Sequence, residues 1–474
     1  MKFNSKNKVL NDILKVAASN IIVLFSGVLV GFLLPKIIGI TDYGYYKTYT
    51  LYATYVGMFH FGISDGIYLK YGGKDYSQLD RYKFRYYTKT FSLVESIIAV
   101  LIMVISIFIL NDNIQFIFIC LAIYLVFHNI TSYYQAISQA TSRFNELSQR
   151  NIIQSILVSC VIVGLWGGKL VFHLDITYKS YIILYSIIII ILAIWYVITY
   201  REISFGQTYM KRENIREIFS LIILGFPLML ANLCSSLILT LDRQFVNILF
   251  DTETYAIYAF AYNMLALVTT ATSAISMVLY PNLKKTDGRT LKNTYSSLVG
   301  AILCFMFGCL SIYFPLNMFV SWFLTKYIEA LTIFRIIFPG LAISSAITIV
   351  MHNYYKTLGI DVIFFVKSLV VLVISASANF LAYKLFGTTQ SISIASIITM
   401  IFWYLFVEHY FVKHYRIKWV KNFVYFLIMM FVFYVITAIS NQIYALIIYA
   451  SIFLCITILF YYKDIRNKLF CWTK

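Results

Sequence analysis

Charge is scarce in this chain of 474 residues: Asp, Glu, Lys and Arg make up 12% of it, about half the ~25% usual in soluble proteins. The remainder cannot be hidden in a soluble core either, because 61% of the chain is apolar and the surface of a folded chain still grows with its size. Lipid must therefore serve as part of its solvent. Proline (5) and glycine (20) are too few for a collagen-like or low-complexity chain. Cysteine is sparse and odd in number: Cys120, Cys160, Cys234, Cys304, Cys309, Cys455 and Cys471 lie mostly in apolar stretches, and no CxxC pair occurs. Neither a disulfide framework nor a zinc site is expected, and these residues are read as small hydrophobes. Acidic residues are few as well, 20 against 38 Lys and Arg, for a net charge of +18. In a soluble protein that excess would raise the question of nucleic acid. In a membrane protein it marks cytoplasmic loops, and no nucleic-acid partner is expected.

What the chain does have is apolar runs. A bilayer core takes ~20 apolar residues per helix, and fourteen such stretches occur: 15–34, 44–69, 90–110, 115–137, 152–172, 180–200, 218–248, 255–280, 295–316, 328–351, 362–383, 390–412, 422–439 and 442–462. Ser186–Ile194 (SIIIIILAI) is apolar on every face, unlike the alternating strands of ~10 residues in a membrane β-barrel. With the N-terminus placed in the cytoplasm, 29 of the 38 Lys and Arg fall on the inner side. Five (Lys36, Lys169, Lys179, Lys326, Lys384) are outer and four (Lys47, Arg243, Arg335, Lys367) lie within spans. That asymmetry predicts an even number of spans with both termini cytoplasmic. The expected fold class is an all-α polytopic membrane protein with 14 transmembrane helices. The basic segment 1–20 carries no small-residue cleavage signature after a short apolar core, so it is expected to stay and lie along the inner membrane surface.

A shift of 212 residues places Tyr43 on Tyr255, Tyr46 on Tyr258, Ser64 on Ser276 and Tyr68 on Tyr280, and the turn Thr41-Asp42-Tyr43 on Glu253-Thr254-Tyr255. The shift equals six helices, so the copies have the same orientation, as in transporters built from parallel repeats with a substrate site between the halves. The expected organisation is an N-terminal lobe (1–205), a C-terminal lobe (206–412) and two further helices with a cytoplasmic tail (413–474).

Two stretches carry a resemblance. Leu24 to Gly73 includes LLPKIIGITDYGYYKTYTLYATYVGMFHFGISDGIYLKYGG; Gly225 to Lys285 holds a Gly-Phe-Pro start, Leu241-Asp242-Arg243, Tyr258 and Tyr262, then Tyr280-Pro281. In this order the residues resemble the polysaccharide (O-antigen or capsule repeat-unit) flippases of the multidrug/oligosaccharidyl-lipid/polysaccharide (MOP) exporter superfamily. Ala256 stands where that family usually has Gly. The resemblance implies movement of an undecaprenyl-pyrophosphate-linked oligosaccharide across the bacterial cytoplasmic membrane by alternating access of two six-helix lobes, alongside a polysaccharide polymerase machinery.

A charge at mid-bilayer costs roughly 2.5–3.5 kcal/mol and therefore faces a cavity or a partner. Lys47 and Asp65 are 18 residues apart on the expected second helix, which puts them on one face ~27 Å apart, a polar stripe with Gly62 and Gly66 allowing close approach of another helix. Asp242 and Arg243 are adjacent and point about 100° apart. Asp242 is expected to hold a lobe contact while Arg243 faces the cavity. Arg335 is the best placed as a ligand-facing cation, because a planar guanidinium suits phosphate. Lys367 joins the candidate substrate set, although both it and Glu408 lie near enough to inner ends to snorkel. Asp65 and Glu95 are candidates for ion coupling, with H+ and Na+ both open. No organic cofactor, metal or catalytic residue is expected. His60 and His128 are read as packing residues, His60 some 140° from the Lys47–Asp65 face, and the Gly27–Gly31 GxxxG as helix packing. Most tyrosines are assigned to the membrane interfaces; Tyr46, Tyr49, Tyr52, Tyr55, Tyr258 and Tyr262 are candidate cavity residues, suited to stacking on sugars.

Two rivals share the superfamily, a multidrug or organic-cation exporter and a peptidoglycan-precursor flippase. Four intramembrane bases stand against five acids (Asp65, Glu95, Asp242, Glu329, Glu408), so counting does not decide, but the outer-half bases favour an anionic cargo. A polymerase or lipid-linked glycosyltransferase would need a sizeable outer loop, and no P-loop, HExxH or GxSxG pattern occurs.

Overall fold

Apolar runs closed by capping residues become helices throughout. The computed structural model describes residues 2–109, 111–208, 212–284, 286–417 and 419–472, with the side chains of 1–18, 20, 212, 267, 270–278, 280–282 and 463–472 not described. No strand occurs among the described residues. The cap chemistry is regular. Asp80 accepts from the backbone N–H groups of Tyr82 (3.0 Å) and Lys83 (3.2 Å), Asn111 from Asn113 (3.0 Å) and Ile114 (3.1 Å), and Thr388 from Ser391 (3.2 Å). Each satisfies donors that the first helical turn leaves open.

Nine described helices are long and apolar enough to cross a membrane, ten if one bent pair counts as a single span. Two shorter apolar helices, Ile21–Ile37 and Val420–Ile436, coincide with the first and thirteenth expected spans. The second expected span is not one helix. The eighth lies in a helix with many undescribed side chains. The protein is thus an all-helical multi-pass membrane protein.

The chain divides into two compact units, Met1–Leu233 with Asp251–Ala256, and Cys234–Phe250 with Ile257–Lys474. The first contains α1 (Lys2–Ile37), α2 (Ile40–Val56), α3 (Ile63–Tyr71), α4 (Arg81–Ser106), α5 (Asp112–Ala140), α6 (Phe144–Val171), α7 (Tyr178–Thr199) and the short α8 (Arg201–Ser204). It also holds the first part of α9 (Arg212–Leu249) and the first turn of α10 (Thr252–Lys284). Its core is aromatic. Phe91 stacks on Tyr133 at 5.1 Å and Tyr134 on Tyr200 at 5.4 Å. Their hydroxyls are paired inside the bundle: Tyr134 with Ser204 (2.6 Å), Tyr200 with Ser138 (2.7 Å) and Tyr133 with Thr88 (3.0 Å). Tyr43, Tyr49, Tyr87, Tyr133, Tyr134, Tyr196 and Tyr200 are fully buried. A hydroxyl with an internal partner makes a ring as easy to bury as phenylalanine.

The second unit continues with the rest of α9 and α10, then α11 (Gly288–Cys309), α12 (Tyr313–Phe323), α13 (Ala330–Ile337), α14 (Gly340–Ser345), α15 (His352–Thr357), α16 (Asp361–Phe386), α17 (Thr389–Tyr415), α18 (Val420–Ile436) and α19 (Gln442–Trp472). The chain bends by 46° between α13 and α14, where Pro339 removes a backbone donor. Ala346–Met351 is a π-helical turn in an otherwise α-helical, buried run. On the outside, Ile183, Ile187, Ile191, Ile194 and Ile198 form an exposed apolar stripe along α7 at helical spacing, a surface made for lipid. Cys120, Cys160, Cys234, Cys304, Cys309 and Cys455 are free thiols; the Cys471 side chain lies outside the described residues.

Candidate functional site

In the second unit the polar centre is built on Asp242. Its side chain is 2% exposed. Oδ2 accepts from the Tyr258 hydroxyl at 2.9 Å and from the Tyr262 hydroxyl, and Oδ1 from the Arg243 backbone N–H at 2.7 Å. Tyr258 and Tyr262 are four residues apart on α10 and so share one face. Ser393 of α17 donates to the Tyr258 hydroxyl at 3.3 Å. Arg243 places its guanidinium 4.7 Å from the centre of the Tyr262 ring and donates from Nη2 to the Leu239 carbonyl at 3.2 Å. Its Nε is buried without a hydrogen-bond partner. Tyr262 thus touches both charges, its hydroxyl on the carboxylate and its ring face on the cation. Sequence reasoning found all four residues. It expected Asp242 to lock one lobe to the other, whereas the carboxylate is held by tyrosines of its own unit.

In the first unit the expected Lys47–Asp65 stripe does not form. α2 stops at Val56 and α3 starts at Ile63, so the eighteen-residue register that put both charges on one face is broken. Gly62 sits at φ +81, a conformation that costs glycine nothing. Lys47 lies with its ammonium 5.2 Å from the Tyr43 ring centre and 5.4 Å from that of Tyr46, and Tyr46 packs edge-on against Tyr181 at 5.2 Å. Asp65 enters the first turn of α3, where a carboxylate suits the helix dipole. The break also undoes the ~140° offset that a continuous helix would put between His60 and Asp65, while His60 remains a packed, hydrogen-bonded residue. Its Nε2 is 3.9 Å from Asp65, and its Nδ1 accepts from the Gly62 N–H at 3.1 Å; an accepting Nδ1 leaves the ring proton on Nε2, toward the carboxylate. The expected close approach at Gly62 and Gly66 is present. A Cβ on Gly66 would run into the backbone of Leu221, and one on Gly62 into the backbone of Gly225 and Phe226. By contrast Gly27 has nothing within 4 Å of where a Cβ would stand, so the Gly27–Gly31 pair does not seat a neighbour at Gly27.

Glu95 is the most deeply buried acid of this unit, at 0% exposure. It accepts from Asn129 Nδ2 at 2.8 Å, and the same amide reaches the Val56 carbonyl at the end of α2 (3.4 Å). Nearby on α5, His128 stacks on Tyr124 at 4.7 Å and lies against Gly57. Arg150 is a base that sequence reasoning placed just outside a span. It lies in α6, nearly buried, its Nη1 3.3 Å from Asn151 Oδ1. The signal available was its position two residues before the fifth apolar run.

Two expectations for the remaining charges fail. Arg335 is not a ligand-facing cation: Nε donates to Thr437 Oγ1 (2.9 Å) and Nη2 to the Tyr434 carbonyl (2.7 Å), while the Tyr434 hydroxyl donates back to the Ile336 carbonyl (2.8 Å). It caps the C-terminal end of α18, where a cation is favourable. Glu408 does not snorkel, being 1% exposed among Tyr404 and Tyr295. Lys367 donates to the Phe406 carbonyl at 2.6 Å with its ammonium 5.0 Å from that ring centre, tied to α17.

The repeat-related turns meet within the first unit. Thr41 Oγ1 donates to Glu253 Oε1 at 2.7 Å, two residues 212 apart, and the Tyr255 hydroxyl donates to the Lys47 carbonyl at 3.2 Å. Gly44 abuts Thr252 so closely that a Cβ would not fit. The copies differ further on: α2 breaks, whereas α10 is helical without interruption to Lys284. The Ser276, Tyr280 and Pro281 side chains and Lys285 lie outside the described residues.

A family model described as polysaccharide biosynthesis protein matches residues 9–287, more than half of the chain and all of the Asp242–Tyr262 cluster. The chain belongs to the polysaccharide biosynthesis protein family. No curated protein sequence matches it. Among solved structures, a lipid II flippase MurJ in an inward closed conformation aligns with a TM-score of 0.69 at 15% identity, over 97% of this chain and 100% of that one. An inward-facing multidrug resistance MATE family transporter of the MOP superfamily aligns with a TM-score of 0.62 at 12% identity, over 84% and 96%. A Vibrio cholerae MATE transporter gives 0.53 at 14% identity, over 86% and 97%. At these identities the likeness is one of fold, and this family member has the MOP transporter fold.

Proposed function

We propose that this protein is a flippase that carries an undecaprenyl-pyrophosphate-linked oligosaccharide repeat unit from the inner to the outer leaflet of the bacterial cytoplasmic membrane. Transport proceeds by alternating access, and the product feeds surface polysaccharide synthesis such as O-antigen or capsule. In this reading both termini are cytoplasmic, the halves are those expected at 1–205 and 206–412, and a polysaccharide polymerase takes up the delivered unit. The observation that carries it is the family match over the stretch holding the Asp242–Arg243–Tyr258–Tyr262 cluster. There a cation with an unsatisfied buried Nε sits on a tyrosine face, chemistry that suits a phosphorylated sugar. Lys47, with Tyr46 beside it, is the second candidate contact. Arg335 and Lys367, spent on helix carbonyls, support the scaffold instead.

A peptidoglycan-precursor flippase is the second reading, favoured by the 97% coverage of the chain in the alignment with MurJ. A multidrug exporter ranks below both, since Asp242 is engaged by two tyrosines and Arg243 rather than open to a cationic drug. The test is deletion of the gene followed by lipid extraction. Build-up of an undecaprenyl-linked repeat unit supports the first reading and build-up of lipid-linked peptidoglycan precursor the second. If neither accumulates, flipping of a lipid-linked sugar is wrong.

A further inference from the structure

We propose that Glu95, Asn129 and the α2–α3 break form a binding site for one monovalent cation, a proton or a sodium ion, inside the first unit. That such an ion drives transport rests on the flippase reading above; its binding does not.

The hydrogen-bond inventory leads there. An asparagine amide has two N–H donors. Those of Asn129 go to Glu95 Oε2 (2.8 Å) and to the Val56 carbonyl (3.4 Å). What remains is two acceptors, Glu95 Oε1 and Asn129 Oδ1, both fully buried and both without a hydrogen-bond partner. Glu95 and Asn129 are each 0% exposed. A carboxylate in that position, with one oxygen bare, is costly unless something neutralises it. No base does so: among the described residues no ion pair includes Glu95. Titratable and charged groups on the surrounding elements include His60 and Asp65 at the break, His128 and, one turn beyond Asn129, Tyr133 on α5, and Arg150 on α6. His60 faces Asp65, and His128 faces Tyr124 and Gly57. Tyr133 is paired with Thr88.

A proton on Oε1 would neutralise the buried carboxylate and place a donor beside acceptors that have none. A sodium ion would take both oxygens as ligands, beside the end of α2, whose Val56 carbonyl already accepts from the Phe59 N–H (3.2 Å) and from Asn129 (3.4 Å). Both occupants answer the same deficit, a buried carboxylate without a counter-charge and two acceptors without a donor.

The experiment uses the purified full chain in detergent. Melting temperature is measured in NaCl against choline chloride at matched ionic strength, and infrared difference spectra are recorded between acid and alkaline pH for a protonated carboxyl band. For a sodium site, Na+ raises the wild-type melting temperature saturably, as ligand linkage requires. Glu95→Gln abolishes that shift, and Asn129→Ala weakens apparent sodium affinity at least about tenfold. For a proton site, sodium has no specific effect. The wild type shows a carboxyl band that Glu95→Gln lacks and that Asn129→Ala moves in frequency. A wild type with neither a sodium-specific shift nor a titrating carboxyl band overturns the proposal without any variant. So does an effect that survives in Glu95→Gln. Cation binding that persists while lipid-linked sugar is not moved would count against the flippase reading and leave this site standing.

Discussion

Replacing Gly66 by alanine should cost the protein a large part of its stability. The methyl group would be placed 2.8 Å from the Leu221 carbonyl carbon and 3.0 Å from its Cα, with the Leu221 oxygen nearer still. On the other side of the seam, a Cβ on Gly225 would meet the Gly62 carbonyl oxygen, the Gly66 nitrogen and, at 3.0 Å, the Gly66 Cα. Carbon atoms settle about 3.5–4.0 Å apart, so α3 and α9 must separate by ~1 Å. Every clashing atom is backbone, and no rotamer change relieves it. Overpacking of this kind costs about 1–3 kcal/mol, and the lack of any yielding side chain puts Gly66→Ala at the upper end, about 3 kcal/mol. In a unit of this size that is roughly 6–12 °C of melting temperature. Gly164, where nothing lies within 4 Å, is the control: Gly164→Ala in the middle of α6 should stabilise by about 0.5–1 kcal/mol through helix propensity alone. The assay is thermal unfolding of detergent-purified protein followed by size-exclusion fluorescence. Equal shifts for the two substitutions, or a Gly66→Ala protein as stable as the wild type, would refute the seam.

Tyr258→Phe and Tyr262→Phe each remove one donor from the buried Asp242 carboxylate; a hydrogen bond to a charged group is worth about 1.5–3 kcal/mol, and the double substitution should lose more than the sum, because each single variant keeps one donor on the shared oxygen and the double variant keeps neither. A double-mutant cycle in melting experiments measures this. Arg335→Ala should loosen α13 from the end of α18 and lower stability by about 1–3 kcal/mol, yet leave polysaccharide output per folded molecule near wild type, as surface polysaccharide at matched protein level reports; output abolished at normal stability would restore Arg335 to the substrate path. At the head of α10, Asp251 is held below its ordinary pKa by the Thr254 hydroxyl, with the Thr254 and Glu253 N–H groups helping. A depressed carboxylate stabilises above its unfolded value and loses that contribution as pH falls through the lower folded one. Asp251→Ala should therefore cost about 1 kcal/mol near neutrality and converge with wild type in acid, read from melting against pH.

The sequence carried the helical character, the family and the Asp242–Arg243–Tyr258–Tyr262 cluster, because charges and tyrosines within apolar runs are conspicuous and their spacing survives in a straight helix. It failed where a helix is not straight. Gly57 and Gly62 sit in an apolar run that reads as continuous, yet α2 ends at Val56 and left-handed backbone at Phe61 and Gly62 leads into α3, separating Lys47 from Asp65 and bringing His60 to the acid. Arg335 shows the other limit: its one-dimensional setting is that of a cavity cation, and the carbonyl it caps is about a hundred residues later in the chain. Arg150 was missed because the charge itself shortened the apolar run that would have included it.

The most direct measurement is flipping itself, with the purified protein in liposomes carrying undecaprenyl-pyrophosphate-linked oligosaccharide and access of a sugar-binding probe to each leaflet followed over time. If the protein is a flippase for this lipid, oligosaccharide becomes accessible in the opposite leaflet only when protein is present, and Arg243→Ala slows the transfer at unchanged folding. Transfer no faster than in protein-free liposomes, with folded wild-type protein in the membrane and an ion gradient applied, would contradict it.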